Sequence, residues 1–190
     1  AAVIERGISG KGQVVDAAMI DGVPAMMGLM QGMLAQGRWT EARGDNWLDG
    51  AAPFYRCYTC ADGKFVAVGA LEPQFYAMLL DKLGLPDAYL AQQNDRSTWD
   101  ARRHEFAQIF ASQPRDHWAA LFDGSDACVA PVLTFSEAAQ HPHLAERQTY
   151  VAPGGIQQSA PAPRFSRSIP MATARPTAAG ADTDAVLTEL

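Results

Sequence analysis

Between residues 13 and 36 the chain is apolar almost without a break. Residues 13–19 form a short apolar run centred on Val14 and Val15. Following the turn at residues 9–12, that run predicts a buried strand. Asp21-Gly22-Val23-Pro24 predicts a helix start, with proline near the first helical position, and Gly37 predicts the stop after Gln36. Met26, Met27, Leu29, Met30, Met33 and Leu34 surround most of that helix. A helix apolar on nearly all sides must be covered on nearly all sides, here by a partner chain or a second domain. Residues 1–7 read as the last turns of a helix, with Arg6 at its negative end and Gly7 as its left-handed stop. So short a helix is marginal alone, and the expectation is a chain that begins inside a longer domain.

Farther along, the hydrophobic period shortens. Residues 55–60 and 64–68 flank Asp62-Gly63 and predict a hairpin. Pro73 opens and Gly84 closes a helix over 73–83; helical patterns follow at 98–112 and 115–123. Residues 128–133 predict a strand. Ser136 is expected to cap a helical turn through 139, and 142–147 another. Residues 38–49 read as a loop or linker, and 150–162 as strands or loops. The Pro-, Ala- and Thr-rich tail at 168–181 is expected to lie extended before a last helix at 183–190. Strands interspersed with helices predict an α/β fold. No internal repeat is present.

The 190 residues are 48% hydrophobic and 19% charged, enough for a core in one domain or one and a small extra piece. A net charge of −6 argues against nucleic acid as a partner. Three cysteines are too few and too odd in number for a disulfide framework, so a reducing, cytoplasmic setting is expected. No basic segment runs into a short apolar one, so no secretory signal is expected. Residues 17–35 imitate a membrane span with Gly28-x-x-x-Gly32, but Asp21 at a bilayer centre would cost roughly 2.5–3.5 kcal/mol. Pro24 also breaks the run, so no membrane is expected.

Few residues then stand out as chemistry. Cys57-x-x-Cys60 lies on a predicted strand, where residues three apart point to opposite faces and cannot share one ion. His141-Pro142-His143 has no obvious thiol or acidic partner and reads as a surface pair. Arg164 and Arg167 suit phosphate or carboxylate, or plain surface pairing. Five methionines from Met19 to Met33 offer a soft surface for apolar ligands, or ordinary core filling. Glu72 is the most informative carboxylate. It leaves a strand and precedes Pro73, which biases it to extended backbone and opens a helix. Such a position suits an acid that orients another group; it equally suits an acid that merely serves a helix dipole.

Several segments resemble the class III coenzyme A transferase family, the CaiB/BaiF proteins. The residues are Gly10-Lys11-Gly12-Gln13-Val14-Val15-Asp16-Ala17-Ala18-Met19, then Ala52-Pro53-Phe54-Tyr55, then the run from Asp62-Gly63-Lys64 through Gly69-Ala70-Leu71-Glu72-Pro73-Gln74-Phe75-Tyr76. The second and third are similar, more narrowly, to the alpha-methylacyl-CoA racemase branch. Asp126 to Val132, His141-Pro142-His143-Leu144 with Arg147, Ala162 to Ser166 and Thr183 to Leu187 extend the likeness over essentially the whole chain. It departs at Asp182, where the family often has histidine.

The resemblance implies an intertwined homodimer whose chains thread through each other. Each would have a Rossmann-like large domain, present here only in part, and a small α+β domain. Residues 1–50 would be a large-domain segment and linker, 51–148 the small domain, and 149–190 the return to the large domain. It implies proton exchange at the α-carbon of a 2-methylacyl-CoA thioester, with no cofactor beyond the coenzyme A of the substrate. The family's acid/base histidine and aspartate lie in an N-terminal half, as do most coenzyme A phosphate contacts, and neither motif occurs here. Glu72 occupies the position that pairs with the histidine. Tyr55, Leu71, Met19, Met30 and Met33 are the expected substrate-lining residues. Two alternatives remain at this point. One is a CoA transferase that moves coenzyme A between carboxylic acids, although residues 46–54 lack the glycine run of those enzymes. The other is a non-catalytic dimerisation and substrate-lining module.

Overall fold

The computed structural model describes residues 1–172 and 178–189. Backbone contacts divide the chain into two compact units, Ala1–Pro131 and Val132–Leu190.

In the first unit three antiparallel strands, β1 (Tyr55–Thr59), β2 (Phe65–Gly69) and β3 (Val129–Pro131), form one sheet in that order. Cys57 pairs with Ala67, and Ala67 with Ala130. The β1–β2 turn closes at Gly63, whose φ of 74° suits glycine. Lys64 N–H donates to Asp62 Oδ1 at 3.2 Å there. Tyr58, Val66 and Val68 face inward; Tyr55, Cys57, Phe65 and Ala67 lie on the opposite face.

Three helices bury their apolar stripes with the inner face in one core: α4 (Pro73–Leu83), α5 (Arg96–Phe110) and α6 (Arg115–Phe122). Phe110 sits at its centre, stacked on Tyr58 at 5.1 Å and edge-on to Trp118 at 5.2 Å. The polar tips of these rings are all spent on backbone. Tyr58 Oη donates to the Pro53 carbonyl at 2.6 Å, and Trp118 Nε1 to that of Phe110 at 2.9 Å. Asp95 caps α5 by accepting from Ser97 N–H. Gly84 ends α4 in the left-handed conformation.

The N-terminal stretch departs from expectation. Residues 10–18 form no strand, and Val14 is 95% exposed. A strand needs a neighbour to satisfy its backbone, and no described strand pairs with this one. The first helix, α1 (Ala2–Ser9), runs through Gly7 and stops at Gly10, whose φ of 73° supplies the left-handed turn. The expected single helix is two, α2 (Met19–Met26) and α3 (Gly28–Ala35), broken at Met27. Asp21 to Pro24 therefore lie inside α2 rather than at its start, and Pro24 removes one amide donor from its ladder. Gly28 follows the break, where a residue of poor helix propensity costs least. Nothing in α1, α2 or α3 is buried in this chain, so the predicted all-round burial of the methionine helix is not met within it.

The second unit holds α7 (Phe135–Gln140), α8 (Pro142–Glu146), the small hairpin β4 (Tyr150–Val151) and β5 (Gln158–Ser159), and α9 (Thr183–Glu189). Thr134, not Ser136, caps α7. Its Oγ1 accepts from Glu137 N–H while the Glu137 carboxylate accepts from Thr134 N–H. Residues 173–177 of the expected extended tail, and Leu190 of the expected last helix, lie outside the described residues.

Phe110→Ala is expected to lower unfolding stability by about 3–5 kcal/mol, because the ring has no room to be replaced by relaxation. Phe135→Ala, at an exposed ring, is expected to change it by less than about 0.5 kcal/mol. Denaturant unfolding of the two variants checks the difference.

Candidate functional site

Where β2 ends, the backbone turns sharply into α4. Gly69 N–H donates to the Cys128 carbonyl at 2.8 Å, the last tie of β2 to its neighbour. Leu71 N–H then donates back to the Gly69 carbonyl at 2.9 Å, a three-residue turn about the fully buried Ala70. Glu72 follows in extended geometry, φ −77° and ψ 143°, with Pro73 as the first helical residue. Its carbonyl accepts from both Phe75 and Tyr76 N–H at 3.0 Å. The backbone is thus held on both sides of an exposed side chain. That side chain makes no capping hydrogen bond, so its carboxylate is not spent on the helix it precedes.

An open cavity of about 640 Å³ lies on the outer face of the sheet. Tyr55, Cys57, Ala67 and Cys128 border it, and Leu48 and Gly50 reach its rim. Tyr55, 38% exposed, is thereby placed on the cavity. Leu71 is not: it is half-buried and packs against the core. Met30 and Met33 are half-buried on α3 and Met19 is 84% exposed on α2; none of the three borders this cavity. The structure therefore places Tyr55 on the cavity, together with Gly69 at the end of β2, while Glu72 is not among the lining residues and the methionines lie apart from it.

Two cysteines join the cavity. Cys57 is exposed on it, while Cys60 is buried in the core, so the pair do point to opposite faces. Period-two spacing from Tyr55 was the available signal for Cys57. Cys128 had no such signal, since its position depends on β3 pairing with β2. It adopts an unusual φ of 53°. Burial pushes its thiol above the ordinary value, and the negative charges of Glu72 and Asp126 push it further. Among the described residues no three His, Cys, Asp or Glu side chains are grouped to hold a metal ion. Arg164 donates from Nη2 to the Arg147 carbonyl, a structural use.

The segment ahead of β1 is a fixed turn. Asn46 is 1% exposed, accepts from Thr40 N–H at 2.8 Å and donates from Nδ2 to Asp49 Oδ2 at 2.8 Å. Asp49 Oδ1 accepts from Asn46 N–H at 2.7 Å. Burial acts to raise the Asp49 carboxyl, yet these Asn46 bonds outweigh it and hold the group below its ordinary value.

The first unit thus presents a strand-to-helix corner with an uncapped carboxylate at Glu72 and an open cavity on the outer face of its small sheet. The pattern of CoA-transferase family III matches residues 1–183, and the chain belongs to that family. It is 45% identical over 168 residues to alpha-methylacyl-CoA racemase of Mus musculus, covering 88% of this chain and 44% of that protein. To the Homo sapiens racemase it is 43% identical over 150 residues, 79% of this chain and 39% of that protein. The fold is similar to that of a CaiB/BaiF family protein from Brucella suis, with a TM-score of 0.68 at 20% identity, over 98% of this chain and 50% of that one. The chain spans under half the length of the curated relatives it matches. No described helix is long and apolar enough to cross a membrane.

Cys128 is expected to react slowly with a maleimide near pH 7, because the thiolate is the nucleophile and its share is small below a raised pKa. The rate should climb as pH passes the ordinary thiol value of 9.0. Glu72→Gln removes a negative charge, lowers that pKa and is expected to speed labelling at fixed pH. Stopped labelling with peptide mapping reads this; an unchanged rate would place the carboxylate away from the thiol.

Proposed function

We propose that this chain is the C-terminal part of an enzyme of the alpha-methylacyl-CoA racemase type, interconverting (2R)- and (2S)-2-methylacyl-CoA thioesters. The observation that carries the reading is the conjunction of 45% identity to a racemase with a backbone-clamped, uncapped Glu72 carboxylate. The thioester acidifies the α-carbon. One base removes the α-proton, the charge spreads into the thioester as an enolate, and an acid on the other face returns a proton. The thioester itself delocalises the charge, so no cofactor is needed beyond the substrate's own coenzyme A.

In this reading the imidazole and second acid/base group come from an N-terminal part of the protein. Glu72 accepts a hydrogen bond from the imidazole, fixes its tautomer and raises its proton affinity. Tyr55 flanks the reacting end from the cavity, and Leu71, packed against the core, supports the backbone before Glu72. The methionine surface of α2 and α3 carries the acyl chain, since flexible thioethers adapt to varied apolar shapes. Its exposure in this chain supports that use: Met19, Met26 and Leu29 are all open. The same exposure supports an intertwined homodimer, with residues 1–50 and 149–190 belonging to a large Rossmann-like domain and 51–148 to a small one. The free thiols fit a reducing, cytoplasmic compartment.

A transferase of the same fold is the competing enzyme. The segment at residues 46–54 favours the racemase, because it lacks a glycine run and its Asn46 is buried and held by hydrogen bonds to Thr40 and Asp49.

In the full-length protein, Glu72→Gln is expected to lower kcat for α-proton exchange about 100-fold. The pH–rate limb set by the imidazole should move to lower pH, because a neutral amide no longer stabilises its charged form. Exchange into deuterated water, followed by NMR, reads both; full activity of the variant would reject the reading. Met30→Ser with Met33→Ser is expected to raise KM for long acyl chains and leave short ones unchanged. An unchanged KM for long chains would remove the methionine surface from the substrate site.

A further inference from the structure

The Glu72 corner has a backbone problem that neither neighbouring element solves. β2 ends at Gly69 and α4 begins at Pro73, so the carbonyls of Ala70 and Leu71 belong to no ladder. Ala70 is fully buried, and a buried carbonyl needs a donor. The donor is the side chain of Gln93, 22 residues on. Its Nε2 donates to the Leu71 carbonyl at 2.9 Å and to the Ala70 carbonyl at 3.3 Å. Gln93 is only 4% exposed, one of few buried polar residues among the described residues.

Gln93 is itself held. It follows the 3₁₀ turn Asp87–Gln92, and its carbonyl accepts from Trp99 Nε1 at 2.8 Å. The Trp99 ring meets Phe54 edge-on at 5.8 Å, and Phe54 meets Tyr76 edge-on at 5.5 Å. Tyr76 N–H returns to the Glu72 carbonyl at 3.0 Å. The contacts thus close a ring around the corner: Glu72, Tyr76, Phe54, Trp99, Gln93, Leu71.

We infer that Gln93 is a positioning residue for Glu72, its amide acting as a latch on the two peptides that set the carboxylate's place. This rests on the reading of Glu72 as the partner of the imidazole and deepens it. The Leu71–Glu72 peptide carries the Glu72 Cα, so freeing the Leu71 carbonyl lets the carboxylate swing while Tyr55 and the cavity stay where they are. Both amide hydrogens are used on carbonyls, so only a neutral donor of this length serves. A carboxylate there would set oxygen against oxygen.

The test uses the full-length protein, α-proton exchange from a 2-methylacyl-CoA, and four variants: Glu72→Gln, Gln93→Met, Trp99→Phe, and Glu72→Gln combined with Gln93→Met. Gln93→Met keeps the volume and removes the donor. It is expected to lower kcat ~10- to 100-fold, the cost of misplacing a catalytic group by about an ångström, while KM barely moves. Its pH–rate limb should shift in the direction seen for Glu72→Gln. The double variant should lose no more than Glu72→Gln alone, since a latch has nothing to position once the carboxylate is gone. Trp99→Phe keeps an aromatic face but is smaller and loses the indole donor. It should show the same pattern more weakly, which keeps the inference testable if Gln93→Met does not fold. A Gln93→Met protein with lower Tm but unchanged kcat and pH profile would overturn the inference, as would losses that multiply in the double variant. Full activity of Glu72→Gln overturns the reading and the latch together. An impaired Glu72→Gln beside a fully active Gln93→Met overturns the latch alone.

Discussion

The aromatic packing around Phe54, Tyr58, Phe106 and Phe110 is what the rest of the first unit depends on. A three-stranded sheet of five-, five- and three-residue strands cannot stand alone. It is made rigid because α4, α5 and α6 supply large rings to its inner face, and the polar tips of Tyr58, Trp99 and Trp118 each reach a backbone carbonyl. A ring that fills space while its polar atom ties down a loop does two jobs with one side chain. Tyr58 holds Pro53, ahead of β1; Trp99 holds Gln93, across from the β2–α4 corner. Rigidity at the outer face, where the cavity lies, is thus inherited from packing on the inner one.

The first 35 residues obey the opposite rule. Their side chains are as apolar as the core's, yet none is buried. Scattered exposed leucines need no explanation, but three successive helices all carry open Ile, Val, Leu or Met side chains. A hydrophobic pattern is a property of the sequence, whereas burial is a property of whatever packs against it, so the two part company over these residues.

That distinction also sorts what the sequence could and could not tell. The hairpin and α4 were legible to within a residue or so, because Asp62-Gly63, Pro73 and Gly84 are local signals whose backbone demands are met locally. The strand expected at 13–19 was misread, since a β-branched run states a preference that only a neighbouring strand can satisfy. Pro24 misled in a similar way: placed near an expected start, it sits inside α2, and the break falls three residues later at Met27. The Ser136 cap failed because Thr134 had the better partner in Glu137, the spacing of a capping box. At the site, Glu72 and Tyr55 came from backbone signals and resemblance. Gln93 was invisible, as an amide in a polar loop carries no mark of burial, while Cys128 was read at the start of a strand but its place on the cavity depends on β3 pairing with β2.

Under the racemase reading proposed above, the Glu72 corner is a matter of orientation. Proton transfer to either face of one carbon requires two groups held on opposite sides within a fraction of an ångström, so orientation is the larger part of the catalytic task. A carboxylate on a flexible loop would meet an imidazole at many angles and favour none. Placed between the end of a strand and the first turn of a helix, its Cα has almost no freedom, and only its own side-chain torsions remain to be set. Natural selection of such a corner costs two orphaned carbonyls, and the fold meets that cost from a distance, through one buried amide. Precision at the exposed end of the molecule is therefore bought from its interior, which is where a change with no contact to substrate should first be felt.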